Sequence, residues 1–211
     1  MKPNRLLVVL CLVVLALLPV SAQWRPGGMM RIVLLVDSSS ATASMITPMR
    51  AALHNFIDDL PGEAEIVFIT TGSQIRIRVQ PTTDRKKLHE AASLFAPDGG
   101  ANAFVDTLLE ADQRFLKPAD DRRSVFVILS TDNGTNIAEQ RLDAYNRFAR
   151  EFAARGGRAH GVVVRGMNSG VNSIVTEHIT QLTGGYYNVI NVASGIPKAM
   201  KTLTEYVAAD Q

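Results

Sequence analysis

The chain has 211 residues, with 22 Lys and Arg against 20 Asp and Glu, a formal net charge of +2. Hydrophobic residues make up 46% and charged residues 20%, a balance that suits a packed globule and excludes intrinsic disorder. There is no positive excess of the kind that tracks a phosphate backbone, so a dedicated nucleic-acid binder is excluded as well.

Lys2 and Arg5 form a short basic start, and Leu6 to Leu18 is an unbroken apolar run of 13 residues. Pro19 ends the run, and Val20-Ser21-Ala22 places small residues where a signal peptidase reads. Residues 1–22 therefore read as a secretory signal peptide cut before Gln23; the alternative is an uncleaved anchor. The run is shorter than the roughly 20 residues that a membrane-spanning helix needs. No second run of that length follows, and Cys11 has no lipobox around it. The expected product is a periplasmic or secreted bacterial protein with no stable membrane insertion. It has equal numbers of basic and acidic side chains and no cysteine. Disulfides, thiol nucleophiles and zinc–thiolate sites are excluded on that ground.

After a short spacer at 23–29, Ile32-Val33-Leu34-Leu35-Val36 is a continuous apolar run that stops at Asp37. Such runs indicate strands covered on both faces, as in a parallel sheet. A helix is expected from about Ser44 to Leu60, with Ser44 or Thr47 as its cap and Pro61-Gly62 as its end. Ile66 to Ile69 is a second buried strand. In Gln74 to Gln80, Ile75, Ile77 and Val79 alternate with Arg76 and Arg78, the pattern of an edge strand whose wet face carries a solvated charge pair. Asp84–Leu94 and Ala103–Leu116 read as helices around the loop Pro97-Asp98-Gly99-Gly100. Val125 to Leu129 is a strong strand, Leu142–Arg155 a helix, Ala159–Val164 a strand, Asn172–Thr183 a helix, Tyr186–Ile190 a strand and Gly195–Ala209 a helix. Alternating strands and helices without a linker predict one α/β domain over 30–209, a doubly wound, Rossmann-like, mostly parallel sheet with helices on both faces.

In such sheets ligands collect beyond the carboxyl ends of the strands, where strand order reverses. Three loops reach that edge: Asp37-Ser38-Ser39-Ser40-Ala41, Asp98-Gly99-Gly100-Ala101-Asn102 and Ser130-Thr131-Asp132-Asn133-Gly134. Their carboxylates and hydroxyls suit a hard cation such as Mg²⁺, Mn²⁺ or Ca²⁺.

These three loops, in their order, spacing and position after strands, resemble those of a von Willebrand factor type A domain over about Met30 to Val207. The resemblance implies one antiparallel edge strand, in agreement with the alternation at Ile75–Val79, and a role in protein recognition rather than catalysis. It also implies a metal-ion-dependent adhesion site built from a DxSxS sequence, a Thr in the Gly-rich loop and a later Asp. Asp37, Ser39 and Asp132 match that pattern, whereas Ala41 and Ala101 stand where the second Ser and the Thr belong. The expectation is a degenerate site in which Asp37 and Asp132 accept hydrogen bonds from nearby backbone N–H groups.

The leading reading is therefore a recognition module that binds a protein partner through its rim loops, with weak or no metal dependence. Ser38, Ser40, Gly99, Gly100, Asn102 and Asn133 are its candidate contact residues. The alternative is an adhesion domain holding Mg²⁺ or Mn²⁺ through Asp37, Ser39 and Asp132. A remote third is an exported hydrolase using Asp37 or Asp132 as general base. There is no G-x-S-x-G elbow, phosphate loop or dinucleotide fingerprint. His54, His89, His160 and His178 lie on four separate elements with no ligand spacing, and read as structural or surface histidines. Tyr186-Tyr187 reads as strand packing with one ring inward, the alternative being a partner contact.

Overall fold

A computed structural model of the chain describes residues 29–119, 121–132, 139–166 and 170–210. The expected signal peptide, the spacer up to residue 28, and Asn133 and Gly134 of the third loop lie outside the described residues.

Six strands form one sheet: β1 (Met30–Asp37), β2 (Glu65–Thr71), β3 (Ile75–Thr82), β4 (Arg123–Thr131), β5 (Arg158–Val164) and β6 (Tyr187–Ile190). Their order is β3-β2-β1-β4-β5-β6. All neighbours are parallel except β2 and β3, so the edge strand expected from alternation is the antiparallel one. Among the described residues six α-helices accompany them: α1 (Ile46–Asp59), α2 (Arg85–Ser93), α3 (Phe104–Ala111), α4 (Glu139–Ala154), α5 (Val171–Thr183) and α6 (Ile196–Ala209). Among the described residues no helix is long and apolar enough to cross a membrane.

The continuous apolar runs are explained by a core on each face of the sheet. Ile32, Leu34 and Val36 point to one side, against Leu53 and Phe56 of α1, Leu88 of α2 and Leu203 of α6. Val33 and Leu35 point to the other, against Phe104 and Leu108 of α3, Phe152 of α4 and Ile179 of α5. With period-2 alternation and both faces covered, the middle of each inner strand is almost wholly apolar.

Two local expectations are corrected. Helix α1 starts at Ile46, with Met45 at its N-cap and no side-chain cap, so neither Ser44 nor Thr47 serves. A backbone bond from Met45 N–H to the Thr42 carbonyl, at 2.8 Å, shapes that entry instead. The helix expected to run from Ala103 to Leu116 changes at Asp112 into one π-turn over 112–116. Lys117 N–H reaches back five residues to the Asp112 carbonyl at 2.8 Å. The Asp112 carboxylate is buried and paired with Arg155 of the segment after α4 and with Lys117. That tertiary pairing, invisible in local sequence, accompanies the bulge.

The chain leaves β1 toward β2 and β3 on one side, and β4 leads toward β5 and β6 on the other. Strand order thus reverses between β1 and β4, and the crevice at their carboxyl ends is the fold's natural binding position.

Candidate functional site

Asp37 ends β1 at that crevice, and its carboxylate is fully engaged. Oδ1 accepts the Ser39 backbone N–H at 2.7 Å, and Oδ2 accepts both the Thr131 backbone N–H at 3.0 Å and the Thr131 hydroxyl. The residue is 1% exposed. Burial raises its carboxyl above the ordinary range, against the opposing pull of the bonds from Thr131 and Ser39. The Ser39 hydroxyl lies close enough to help the charged form, yet makes no hydrogen bond of sound geometry.

The first and second loops are sewn together. Ser38 Oγ donates to Asp98 Oδ2 at 2.9 Å, and Asp98 N–H donates to the Ser38 carbonyl at 2.7 Å. The backbone N–H and the hydroxyl of Ser40 both reach the Gly100 carbonyl, at 3.3 and 3.2 Å. Gly99 and Gly100 take φ of +78° and +69°, a left-handed pair that only glycine adopts without strain. Arg76 and Arg78 of β3 lie on an exposed face, as the alternation suggested, but they also serve the second loop. Arg78 Nη2 grips Asp98 at 2.8 and 2.7 Å, with Arg76 Nε 3.7 Å away. Burial of Asp98 works to raise its carboxyl, but the bonds from Ser38 and Arg78 and the two guanidinium charges outweigh it and hold the carboxyl below the ordinary range.

The third loop is anchored from both sides. Asn102 Nδ2 donates to Ser130 Oγ at 3.2 Å, and Asn172 Nδ2 of α5 donates to the Thr131 carbonyl at 3.0 Å. Asp132 Oδ1 accepts the Ser173 N–H at the start of α5, at 3.2 Å. Gly170 permits that approach: a Cβ built on it would stand 1.9 Å from the Asp132 carbonyl oxygen. Beside Asp132 opens a groove of about 510 Å³ lined by Arg165, Ser173, Ile174, Glu177 and Tyr187.

The structure thus brings Asp37, Ser38, Ser39, Asn102 and Asp132 to one rim, each buried to within a few per cent. Ser40 and Gly100 face solvent and Gly99 is half-buried. Ser38 and Asn102 are struts under the surface rather than part of it. Tyr186 stacks on Tyr206 of α6 at 4.8 Å between centroids, while the Tyr187 hydroxyl donates to the Ser173 carbonyl at 3.2 Å in the groove.

The histidines are less scattered than their sequence positions suggest. His54 of α1 and His89 of α2 meet with their Nδ1 atoms 2.7 Å apart. His160 is buried between the Tyr186 N–H and Asp210, and His178 contacts the Tyr145 hydroxyl. The His54–His89 contact depends on how two helices pack, which no sequence spacing encodes.

A hard divalent cation asks for six or more oxygen ligands and several carboxylate charges. Here both Asp37 oxygens are taken by protein donors, and Asp132 Oδ1 is taken by α5. Positions 41 and 101 carry only methyl groups. Among the described residues the buried side-chain oxygens without a hydrogen-bond partner are the neutral Ser39 Oγ, Thr71 Oγ1 and Asn102 Oδ1. Among the described residues no group of three or more His, Cys, Asp or Glu is placed to hold a metal. The carboxylate oxygens of Asp37 are thus shared with protein donors, and the oxygens left without partners are neutral.

No protein-family model matches the sequence, and no curated protein sequence matches it significantly. Solved structures do match in three dimensions. A von Willebrand factor type A protein from Catenulispora acidiphila superposes with a TM-score of 0.71 at 14% identity, over 87% of this chain and 43% of that one. The conserved hypothetical protein BatB from Bacteroides thetaiotaomicron gives 0.64 at 13% identity, over 86% of this chain and 98% of that one. The manganese-loaded TRAP protein of Plasmodium vivax gives 0.60 at 16% identity, over 84% and 74%. The chain spans less than half of the first of these and nearly all of the second. With the mixed six-stranded sheet, the switch point between β1 and β4 and the three loops above it, these superpositions give the chain the fold of a von Willebrand factor type A domain.

Proposed function

We propose that this chain is an exported, non-enzymatic recognition module that binds a protein partner through the rim at the carboxyl ends of β1 and β4, without requiring a resident metal ion. The observation that carries this reading is the closure of the rim by the protein's own bonds. Asp37 holds the first and third loops together, and Ser38, Ser40 and Asp98 hold the first and second. A surface organised in this way needs no cation to shape it, and a preorganised surface loses less entropy on binding. The solvent-facing edge at Ser40, Gly100 and Ala101 and the groove beside Asp132 supply the contact area.

The test is capture of partners from the native envelope fraction, with divalent ions and with chelator. Capture that survives chelator and is lost in Ser40→Arg, a change on the exposed rim, supports the reading. Capture that needs Mg²⁺ refutes its metal-independent part, and capture indifferent to Ser40→Arg refutes the rim.

One observation favours a second reading. Ser39 Oγ and Asn102 Oδ1 are buried oxygens without partners, and a manganese-loaded protein shares the fold. An adhesion site of that kind would use Asp37, Ser39 and Asp132, with the partner adding an acidic side chain. Calorimetric titration with Mn²⁺ separates the two readings: heat abolished by Asp37→Ala supports the ion, and a flat trace removes it.

A further inference from the structure

The first rim loop runs into α1, and the second leaves α2. A row of side chains joins these two helices and ends at the rim. Asp58 Oδ1 meets His89 Nε2 at 2.8 Å, His89 Nδ1 meets His54 Nδ1 at 2.7 Å, and His54 Nε2 meets Ser93 Oγ at 3.3 Å. One turn nearer the rim, Arg50 donates from Nε and Nη2 to the Phe95 carbonyl at 2.9 and 2.7 Å. Phe95 stands three residues before Asp98, which binds Ser38.

The imidazole planes differ by 13° and their centroids are 5.0 Å apart. Subtracting the 2.7 Å between the Nδ1 atoms leaves little more than the two ring radii. The rings therefore lie end to end, with the Nδ1 atoms aimed at each other. Two nitrogens so placed can share one proton and cannot each carry one.

Two proton arrangements satisfy every bond in the row. With both rings neutral, Ser93 donates to His54 Nε2, His54 Nδ1–H donates to His89 Nδ1, and His89 Nε2–H donates to Asp58. With one extra proton, His89 is the imidazolium, donating to Asp58 and to His54 Nδ1, and His54 Nε2–H donates to the Ser93 hydroxyl. A second extra proton sets two N–H groups against each other and breaks the bridge. Other charges near the pair are committed or exposed. Arg50 is held by the Phe95 carbonyl and Arg85 of α2 by that of Pro61, while Arg76 and Arg78 of β3, which packs on α2, serve Asp98. Lys86, Lys87 and Glu90 of α2, Asp59 of α1, and Lys198, Lys201 and Glu205 of α6, which packs on α1, make no bond to either ring.

We propose that the His54–His89 pair is a proton-sensitive latch between α1 and α2, closed with zero or one extra proton and opened by the second. Opening loosens α2 and the Asp98–Asn102 loop against the first loop, so the rim changes between neutral and acidic surroundings. Its bearing on partner capture rests on the rim reading above; the latch itself does not. The sign follows from proton counting. In an opened chain each imidazole can take a proton of its own, whereas the closed pair has room for one. The closed state therefore weakens as pH falls, by up to about tenfold in its opening constant per pH unit.

Two measurements on the full chain test this, and neither uses a partner. In ¹⁵N-labelled protein, a scalar coupling across the Nδ1–Nδ1 bond is expected at neutral pH and is lost on acidification; its absence at neutral pH overturns the latch. Hydrogen exchange, corrected for its intrinsic pH dependence, should show the amides of α2 and the following loop opening up to about tenfold more per pH unit as the solution is acidified. His54→Gln and His89→Gln should flatten that dependence. Equal pH dependence in the variants overturns the proposal. So does a Zn²⁺ titration in which metal at the pair protects α2, since the pair would then be a metal site. If these readouts hold while capture fails, the rim reading is wrong and the latch stands.

Discussion

Asp37 and Asp98 stand on one rim and are tuned in opposite directions, and each direction makes a prediction. Asp37→Ala leaves the Ser39 and Thr131 N–H groups buried without an acceptor, at a cost of about 3 kcal/mol read from urea unfolding. A neutral Asp37→Ala would mean that the carboxylate is no strut. Because burial raises its carboxyl above the ordinary 3.8, the folded state holds that proton more firmly than the unfolded chain does. The contribution of Asp37 to stability accordingly grows as pH falls through its folded value, so Asp37→Asn should steepen the loss of stability in acid. Asp98 behaves in the opposite sense. Its carboxyl is held below 3.8, so its contribution is present above that pH and disappears as pH falls through its lower folded value. Asp98→Asn should cost about 1–2 kcal/mol at neutral pH, with the gap to wild type closing in strong acid. Asp37, Ser39 and Asp132 were legible as rim residues because each follows or flanks an apolar run. The partners of Asp98 were not, since the grip of Arg78 depends on β3 turning back beside β2 and bringing residue 78 next to the second loop.

Elements were legible wherever one face or both faces of a strand or helix had to be apolar. The edge strand β3 shows how far the pattern reaches: its inward isoleucines and outward arginines gave its place, but its extension through Pro81 to Thr82 was hidden. Pro lacks the N–H that a ladder needs and is tolerated at an edge, where one side of the strand is unpaired. Packing between elements leaves fewer marks. Helix α5 sits so close to β5 that a Cβ on Gly161 would stand 2.2 Å from Thr176 Cγ2. Gly161→Ala should therefore destabilise the fold by about 1–3 kcal/mol through overpacking. Thr176→Ser removes the clashing methyl and keeps the hydroxyl that donates to the Asn172 carbonyl at 2.7 Å. In a double-mutant cycle Thr176→Ser should recover most of that loss, which a backbone-conformational cost at residue 161 would not allow.

At the scale of the whole molecule, the sheet's topology decides what the rim can be. Reversal of strand order between β1 and β4 leaves a crevice that must be filled by protein groups, by an ion or by a ligand. Here protein groups fill much of it, and the inner polar side chains hold loops rather than face solvent. A cation that binds only the folded state stabilises it by RT ln(1 + [L]/Kd), about 1.4 kcal/mol for a ligand at ten times its Kd. With the Asp37 oxygens committed and methyl groups at positions 41 and 101, millimolar Mg²⁺ should leave the thermal midpoint of the wild-type protein unmoved. Ala41→Ser with Ala101→Thr adds two hydroxyl oxygens at the first and second loops. A rim that lacks only direct ligands should then gain an Mg²⁺-dependent rise in midpoint, removed by chelator. If the double variant stays as indifferent as the wild type, the missing hydroxyls are not what separates this rim from an ion site. The internal bonds of Asp37 and Asp132 would then be the stronger constraint.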